Sequence, residues 1–141
     1  MPTPYESARL NLQLFEMRRD PVLREARQWW LDSFTPKSFE ELLAIAAGER
    51  NSSFRMVAGY WDMAASMVTS GAIDAASFLA AHAEIWATIA KVQPFLAQLR
   101  EGSGIAEFLR NAEKVVTQAP GGMERLQMLR EQFLARTPAK T

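Results

Sequence analysis

Apolar residues recur along the chain at intervals of three and four, and this spacing predicts α-helices. Proline and glycine separate the apolar segments at distances that suit helices, and no segment shows the sustained apolar-polar alternation of a half-buried strand. We therefore expect an all-α fold, a compact bundle of about six to seven helices around a central antiparallel helical hairpin. The hairpin is predicted to run from about Asn51 to Arg100.

Capping residues and helix breakers set the expected ends of these helices. Asp20 and Ser38 are predicted N-caps. Gly71 should end the fourth helix in the left-handed conformation, and Asp74 should cap the fifth. Pro94 should kink or break the fifth helix, because proline lacks the amide hydrogen that the helix needs there. The predicted helices cover residues 4–19, 21–33, 38–48, 52–70, 74–100, 105–118 and 123–135.

The chain shows no internal repeat and no composition boundary. Residues 1–135 are therefore predicted to form a single helical domain. Residues 136–141 are short, polar and terminal, so we expect them to be a disordered tail.

The predicted fourth helix is apolar on nearly all sides, which is typical of a helix at the buried centre of a bundle. The face of the fifth helix that should oppose it carries large apolar side chains and the single histidine. Two interpretations of this junction remain open: a filled core, or an apolar small-molecule pocket between the fourth and fifth helices. The residues in question are Trp61, Met63, His82 and Trp86.

The first helix carries two apolar stripes on opposite sides. One stripe comprises Ala8, Leu12 and Phe15. The other comprises Leu10, Leu14 and Met17. Because one packing partner cannot cover both, this helix either lies between two layers of its own chain or presents one stripe to a second subunit. With the tryptophan-bearing face of the second helix, the predicted interface residues are Leu10, Leu14, Met17, Trp29 and Trp30.

Charge balance narrows the range of partners. Lysine plus arginine and aspartate plus glutamate each number 16, so the net charge is zero and no overall field attracts nucleic acid or anionic lipid. The arginines around the first helix junction are interleaved with acidic residues, as in a solvated helical surface. We predict no nucleic-acid partner and expect a homo-oligomer such as a dimer, with an unidentified protein partner as an alternative.

Cysteine content and hydropathy suggest a location. The chain has no cysteine, which fits a reducing compartment, and the cytoplasm is the expected location. The longest uncharged run, residues 63–73, is too short to cross a bilayer, and the N-terminal residues lack the pattern of a signal peptide. No integral membrane segment is predicted.

The candidate chemistry is limited to one residue. His82 could pair with an acidic side chain such as Asp62 and act as an acid, a base or a proton sensor, or it could be a satisfied core histidine. His82-Ala83-Glu84 matches part of a zinc-deaminase signature, but that metal site needs cysteine ligands. We therefore predict no catalytic residue, no metal site and no cofactor, and expect that the protein is not an enzyme.

Short aromatic and turn motifs between Phe15 and Arg100 resemble a family of bacterial all-helical domains of unknown function. The resemblance implies no catalytic residue, substrate or cofactor. Some members of that family follow an N-terminal membrane anchor, which this sequence does not show. The motifs are Arg18-Arg19-Asp20-Pro21, Asn51, Phe54, Tyr60-Trp61-Asp62, Gly71-Ala72-Ile73-Asp74, Trp86, Pro94-Phe95 and Arg100.

These observations favour a non-enzymatic protein-interaction module that self-associates. The alternative is a small-molecule-binding helical protein whose apolar pocket lies between the fourth and fifth helices. Oligomeric state and cavity volume discriminate between the two.

Overall fold

The computed structural model describes residues 2–103 and 105–136 of the chain, with the side chain of residue 103 excluded. Helices dominate these residues, and no strand occurs among them, so the predicted all-α fold is confirmed. The helices are α1 (Pro4–Met17), α2 (Pro21–Asp32), α3 (Phe39–Ala46), α4 (Asn51–Thr69), α5 (Ala75–Ala81), α6 (Glu84–Ala90), α7 (Leu96–Ser103), α8 (Arg110–Thr117) and α9 (Gly122–Ala135). A 3-10 turn, Gln93–Phe95, precedes α7. Residues 137–141 of the tail predicted for 136–141 lie outside the described residues.

The predicted N-caps are confirmed. The Asp20 and Asp74 carboxylates accept the backbone N–H groups three residues further on, at 3.0 Å and 2.9 Å. Ser38 Oγ accepts the Glu41 N–H at 3.1 Å, while the Glu41 carboxylate accepts the Lys37 N–H. Gly71 takes a φ of +89°, the left-handed conformation expected after α4. These ends form as predicted because each depends on atoms a few residues apart.

The predicted fifth helix is broken in two places. The expected break at Pro94 is confirmed, because Pro94 lies in the 3-10 turn. A second break at His82 separates α5 from α6, with φ −129° and ψ 55°. It directs the imidazole ring toward Asn11 and Arg18, and hydrogen bonds to both side chains compensate for the interrupted helix.

The predicted helix over 105–118 also begins late, at Arg110, because Leu109 has a φ of +53°.

Helix α4 lies at the centre of the packing. Its most extensive contacts are with α2 on one side and α8 on the other, rather than with α5. Helix α6 packs mainly on α9, and α1 on α5. One cluster of buried side chains runs through these layers from Leu14 to Leu126. Its largest fully buried members are Trp30, Trp61, Phe34 and Phe78.

Lys91 follows α6 and is buried, yet its ammonium group is well placed. Its Nζ donates to the carbonyl oxygens of Trp30 at 2.8 Å and Leu31 at 2.7 Å, in the last turn of α2. A cation at this position satisfies carbonyl groups that a helix end leaves unpaired. Burial lowers the pKa of Lys91 to about 8. The residue joins α2 to the segment that follows α6.

The start of α9 depends on Gly122, and this generates a prediction. A Cβ atom on Gly122 would overlap the carbonyl oxygen of Val116, whereas a Cβ on Gly59 in α4 would meet no atom within 4 Å. Gly122→Ala should lower the free energy of unfolding by about 2 kcal/mol. Gly59→Ala, the matched control, should raise it by about 0.5–1 kcal/mol, because alanine favours a helix interior. Urea unfolding measures both, and an unchanged midpoint for Gly122→Ala would contradict the packing described for α9.

Candidate functional site

Helix α1 is largely inverted: apart from Leu14, the side chains that it buries are polar, while an apolar stripe is exposed. Ser7, Asn11 and Arg18 point inward and are each less than a tenth exposed. They recur at spacings of four and seven, so they share one face of the helix. On the outer side, Tyr5, Leu12 and Phe15 are each more than half exposed. Met17, which belongs to the other stripe, is 49% exposed on the opposite flank of the helix.

An ion-pair cluster anchors the polar face to the core. Glu84, the first residue of α6, accepts two hydrogen bonds from Arg27, both at 2.8 Å. The same carboxylate accepts Arg18 Nη1 at 3.3 Å, and Arg27 Nη1 donates to the Arg18 carbonyl at 3.0 Å. The bond to Glu84 raises the pKa of Arg27. One carboxylate therefore joins α1, α2 and α6, and two arginines share it.

Aromatic rings complete the surroundings of Arg18. Its guanidinium carbon lies 4.7 Å from the ring centre of Phe15 and 5.3 Å from that of Trp61. Arginine stacks on aromatic faces because its charge is delocalised and weakly hydrated. Nearby, Tyr60 donates to the Leu14 carbonyl at 2.5 Å, and burial raises the pKa of Tyr60 to about 12. The Arg18 charge is thus enclosed without being left unpaired.

The contacts of His82 define its protonation state. Arg18 Nη2 lies 3.4 Å from His82 Nδ1, and a guanidinium only donates, so Nδ1 must accept. Nε2 lies 3.1 Å from Asn11 Oδ1, which can only accept, so Nε2 carries the hydrogen. Burial lowers the pKa of His82 to about 4, and the Arg18 charge acts in the same direction. His82 is a neutral histidine with both ring nitrogens satisfied.

Asp62 is not the partner of this histidine. Its carboxylate accepts the Ala112 N–H at 2.9 Å and the Asn111 Nδ2–H at 3.2 Å, at the start of α8. An acidic side chain is favourable at a helix N-terminus, where it satisfies free amide groups. The suggested pairing of His82 with Asp62 is therefore wrong, and Asp62 instead attaches α8 to α4.

The hydrogen-bond chain continues from His82 to the surface. Asn11 Nδ2 donates to Ser77 Oγ at 3.4 Å, and the Ser77 hydroxyl donates to the Asp74 carbonyl at 3.0 Å. The Asp74 N–H donates to Ser7 Oγ at 3.3 Å. Ser7, Asn11 and Ser77 line a groove between α1 and α5. The buried cluster is thus connected to an open surface by directed hydrogen bonds.

The groove has a volume of about 680 Å³ and mainly apolar walls. A cavity of this size can hold a small organic molecule. The arrangement supports binding rather than proton transfer, because His82 is fully buried and both of its nitrogens are occupied. Its remaining lining residues are Pro2, Pro4, Ala8, Leu12, Gly71, Ile73, Asp74 and Ala81.

The four predicted pocket residues only partly come together. Trp61 and His82 are fully buried neighbours, with ring centres 6.1 Å apart. Trp86 is also buried and lies beneath Arg125 of α9, whose guanidinium is 4.3 Å from its ring centre. Met63 is half-buried at the edge of the core. These positions are those of packed side chains, and the α1–α5 groove is lined by other residues.

The predicted interface residues are in part buried and in part exposed. Leu14 and Trp30 are buried, so neither side chain is available to a partner. Leu10 and Trp29 are partly buried against the core, and Trp29 lies beneath Arg50. Met17 is exposed. The stripe of α1 that faces outward is therefore the other one, because the polar residues of the inner face had to turn toward Glu84 and His82.

The sequence analysis does not predict the groove or the ion-pair cluster, because polar residues on a helix usually face solvent. The spacing of Ser7, Asn11 and Arg18 is the one signal for them, since residues at this spacing share a face that the structure buries. Within the part of the chain that the structure describes, no three His, Asp or Glu side chains are grouped as metal ligands. No helix there has the length and apolar character needed to cross a membrane.

Residues 5–119 match the model of a domain of unknown function, DUF4760. The comparisons with curated proteins and with solved structures found no match.

The lowered pKa of His82 predicts a pH-dependent stability. The unfolded chain takes up a proton near pH 6.5, but the folded chain does so only near pH 4. The contribution of neutral His82 is therefore complete above pH 6.5 and is lost as the pH falls toward 4, by about 3 kcal/mol in total. Chemical unfolding at several pH values measures this loss.

The matched control for this measurement is His82→Gln. Glutamine can still hydrogen-bond but does not titrate, so the variant should be less stable at neutral pH and should lose less stability between pH 6.5 and 5. Parallel pH profiles of the two proteins would contradict the neutral, Arg18-bonded state of His82.

Proposed function

The chain belongs to the DUF4760 family, a domain of unknown function, and we propose that it is a non-enzymatic helical module that associates with a second copy of itself through α1. The surface we assign to this contact is the outer stripe, defined as Tyr5, Ala8, Leu12 and Phe15. The observation that supports it most directly is the inversion of α1.

The exposure of the outer stripe is unusual for a monomer. Tyr5, Leu12 and Phe15 are each more than half exposed and lie on one face of a single helix. Scattered apolar residues are normal on a surface, but a continuous stripe of this kind usually marks a contact site. Burial of such side chains would contribute about 25 cal/mol per Å² of apolar area removed from water. Covering this stripe is favourable for any apolar partner.

The stripe is well suited to contact its own copy. If two α1 helices pack antiparallel about a two-fold axis at Leu12, each Leu12 meets its counterpart. At about 1.5 Å rise per residue, Ala8 and Phe15 lie at nearly equal distances from Leu12 in opposite directions. The large Phe15 ring of one copy therefore faces the small Ala8 of the other. Such self-complementarity is what a two-fold interface requires.

Charges beside the stripe follow the same symmetry. Arg9 and Glu16 are exposed on the same edge of the stripe, on opposite sides of Leu12. In the antiparallel pair, Arg9 of one copy and Glu16 of the other lie at nearly the same height along the helix axis. Their heights differ by about 1.5 Å, the rise of one residue. The zero net charge of the chain adds no general repulsion between copies. These two ion pairs would fix the direction and register of the helices.

The earlier alternatives remain predictions. Leu10 and Met17 line a separate shallow depression of about 490 Å³ on the other flank of α1, with Met67. A different protein partner could use that flank or the exposed edge of Trp29. A pocket among Trp61, Met63, His82 and Trp86 would require those packed side chains to move apart.

Self-association is tested by sedimentation over micromolar to high-micromolar concentrations. The wild-type mass should rise from 15.8 kDa toward twice that value. Phe15→Glu should remain at the monomer mass, because a charge in an apolar contact is costly to desolvate. Met128→Glu on α9 is the matched control, since Met128 is 50% exposed and Phe15 52%. It should behave as the wild type.

A charge exchange tests the antiparallel arrangement. Arg9→Glu should weaken the dimer by placing two acidic side chains together, and adding Glu16→Arg should restore it. Circular dichroism and thermal unfolding check that each variant remains folded. A wild-type protein that stays at 15.8 kDa throughout, or equal losses from Met128→Glu and Phe15→Glu, would overturn the proposal.

A further inference from the structure

We infer that the groove between α1 and α5 binds an uncharged, mainly apolar small molecule that carries an acceptor oxygen, such as an acyl ester or amide. This site differs from the predicted pocket between the fourth and fifth helices. The proposed ligand binding is also a function separate from self-association, because Ser7 and Asn11, which form the polar floor of the groove, lie on the inner side of α1.

The size and walls of the groove suit an acyl chain. Its volume of about 680 Å³ falls within the range of small-molecule sites. Ala8 and Leu12 form one wall, and Ile73 and Ala81 form the other. Ile73 is buried and fixes the depth of the groove, while Ala81 and Leu12 lie at its exposed edge. Transfer of an apolar chain from water to these walls drives binding.

The floor of the groove offers hydrogen-bond donors. Ser7 is 3% exposed, and its oxygen accepts the Asp74 N–H, so its own hydroxyl hydrogen remains to donate. Asn11 is 6% exposed and uses one of its two Nδ2 hydrogens on Ser77. Within the described part of the chain, no acceptor contacts the second Asn11 hydrogen or the Ser7 hydroxyl hydrogen. Buried donors are costly to leave unpaired, and an acceptor oxygen on a ligand would satisfy them.

The charges around the groove disfavour an anionic ligand. Among the described residues that line it there is no arginine or lysine, and the one charged residue is Asp74. Arg18 lies behind His82 and Asn11 in the hydrogen-bond chain and already pairs with Glu84. A carboxylate would therefore lose its hydration without gaining a cation, which is unfavourable. An ester or amide carbonyl supplies the acceptor without that cost.

Ligand binding is measured with the Phe15→Glu protein as background. Ala8 and Leu12 belong both to the outer stripe and to the groove wall, so self-association would cover part of the groove. Phe15 belongs to the outer stripe alone, and Phe15→Glu therefore presents the groove in the monomer. The probes are monodecanoylglycerol, decanoate and decyltrimethylammonium, which share the length of the apolar chain and differ in charge. Calorimetric titration should give binding of monodecanoylglycerol and about tenfold weaker binding of decanoate. Decyltrimethylammonium, which has no acceptor oxygen, should also bind about tenfold more weakly.

Two tryptophan substitutions test the location. Ala81→Trp places a large ring in the groove and should abolish binding. Ala80→Trp is the matched control, because Ala80 is exposed on the same helix but does not line the groove. Ser7→Ala should weaken binding of monodecanoylglycerol about fivefold through loss of one hydrogen bond, and should leave the weak binding of decyltrimethylammonium unchanged.

The hydrogen-bond chain provides an independent spectroscopic signal. His82 is the only histidine, so its ring signals in NMR spectra need no assignment among several. A ligand that contacts Asn11 should shift those signals through the bond between Asn11 Oδ1 and His82 Nε2. The shift should be present in Ala80→Trp and absent in Ala81→Trp.

Three results would overturn the inference. The first is equal or tighter binding of decanoate or of decyltrimethylammonium, which would show that the groove does not prefer a neutral ligand with an acceptor oxygen. The second is binding that survives Ala81→Trp, which would place the ligand elsewhere. The third is a pair of results: none of the three probes binds the Phe15→Glu protein, and Ala81→Trp in the otherwise wild-type chain abolishes self-association. This pair would show that the second copy of the chain occupies the groove.

Discussion

The carboxylate of Glu84 is the contact on which the surrounding structure depends. It is mostly buried and is shared by Arg18 and Arg27, so it joins α6 to the first two helices, which lie more than fifty residues earlier in the chain. Breaking a buried ion pair by removing one partner typically costs about 3–5 kcal/mol, because the remaining charge is left unpaired. Here the carboxylate has two partners, and its loss would leave two buried guanidinium groups. The need to pair these buried charges therefore holds α1 and α2 to the core.

The pairing of Arg18 with Glu84 also explains why α1 turns polar side chains inward. Once Arg18 faces inward to reach Glu84, Asn11 and Ser7 lie on the same inner face, and each pairs with a group on or beside α5. The outer side of the helix then presents its apolar residues to water. The polar cluster therefore determines which side of α1 stays exposed, and it places Ser7 and Asn11 at the groove.

His82 shows how one tertiary contact can override a local pattern. The residues around it follow the spacing of a continuous helix, and only the polar groups of α1 explain the break between α5 and α6. Leu14 and Trp30 illustrate the converse. Their apolar character was evident from the sequence, but whether they faced a partner or the core depended on how α1 and α2 were oriented.

The all-α class, the caps at Asp20 and Asp74 and the left-handed end at Gly71 can be predicted from local sequence, because each depends on atoms within a few residues. The sequence also identifies the two stripes of α1. Only the tertiary structure decided which stripe faces outward, since that choice depends on a carboxylate more than sixty residues from Arg18. The groove also depends on tertiary structure. Its two walls come from separate segments of the chain, and the distance between them cannot be predicted from residue spacing.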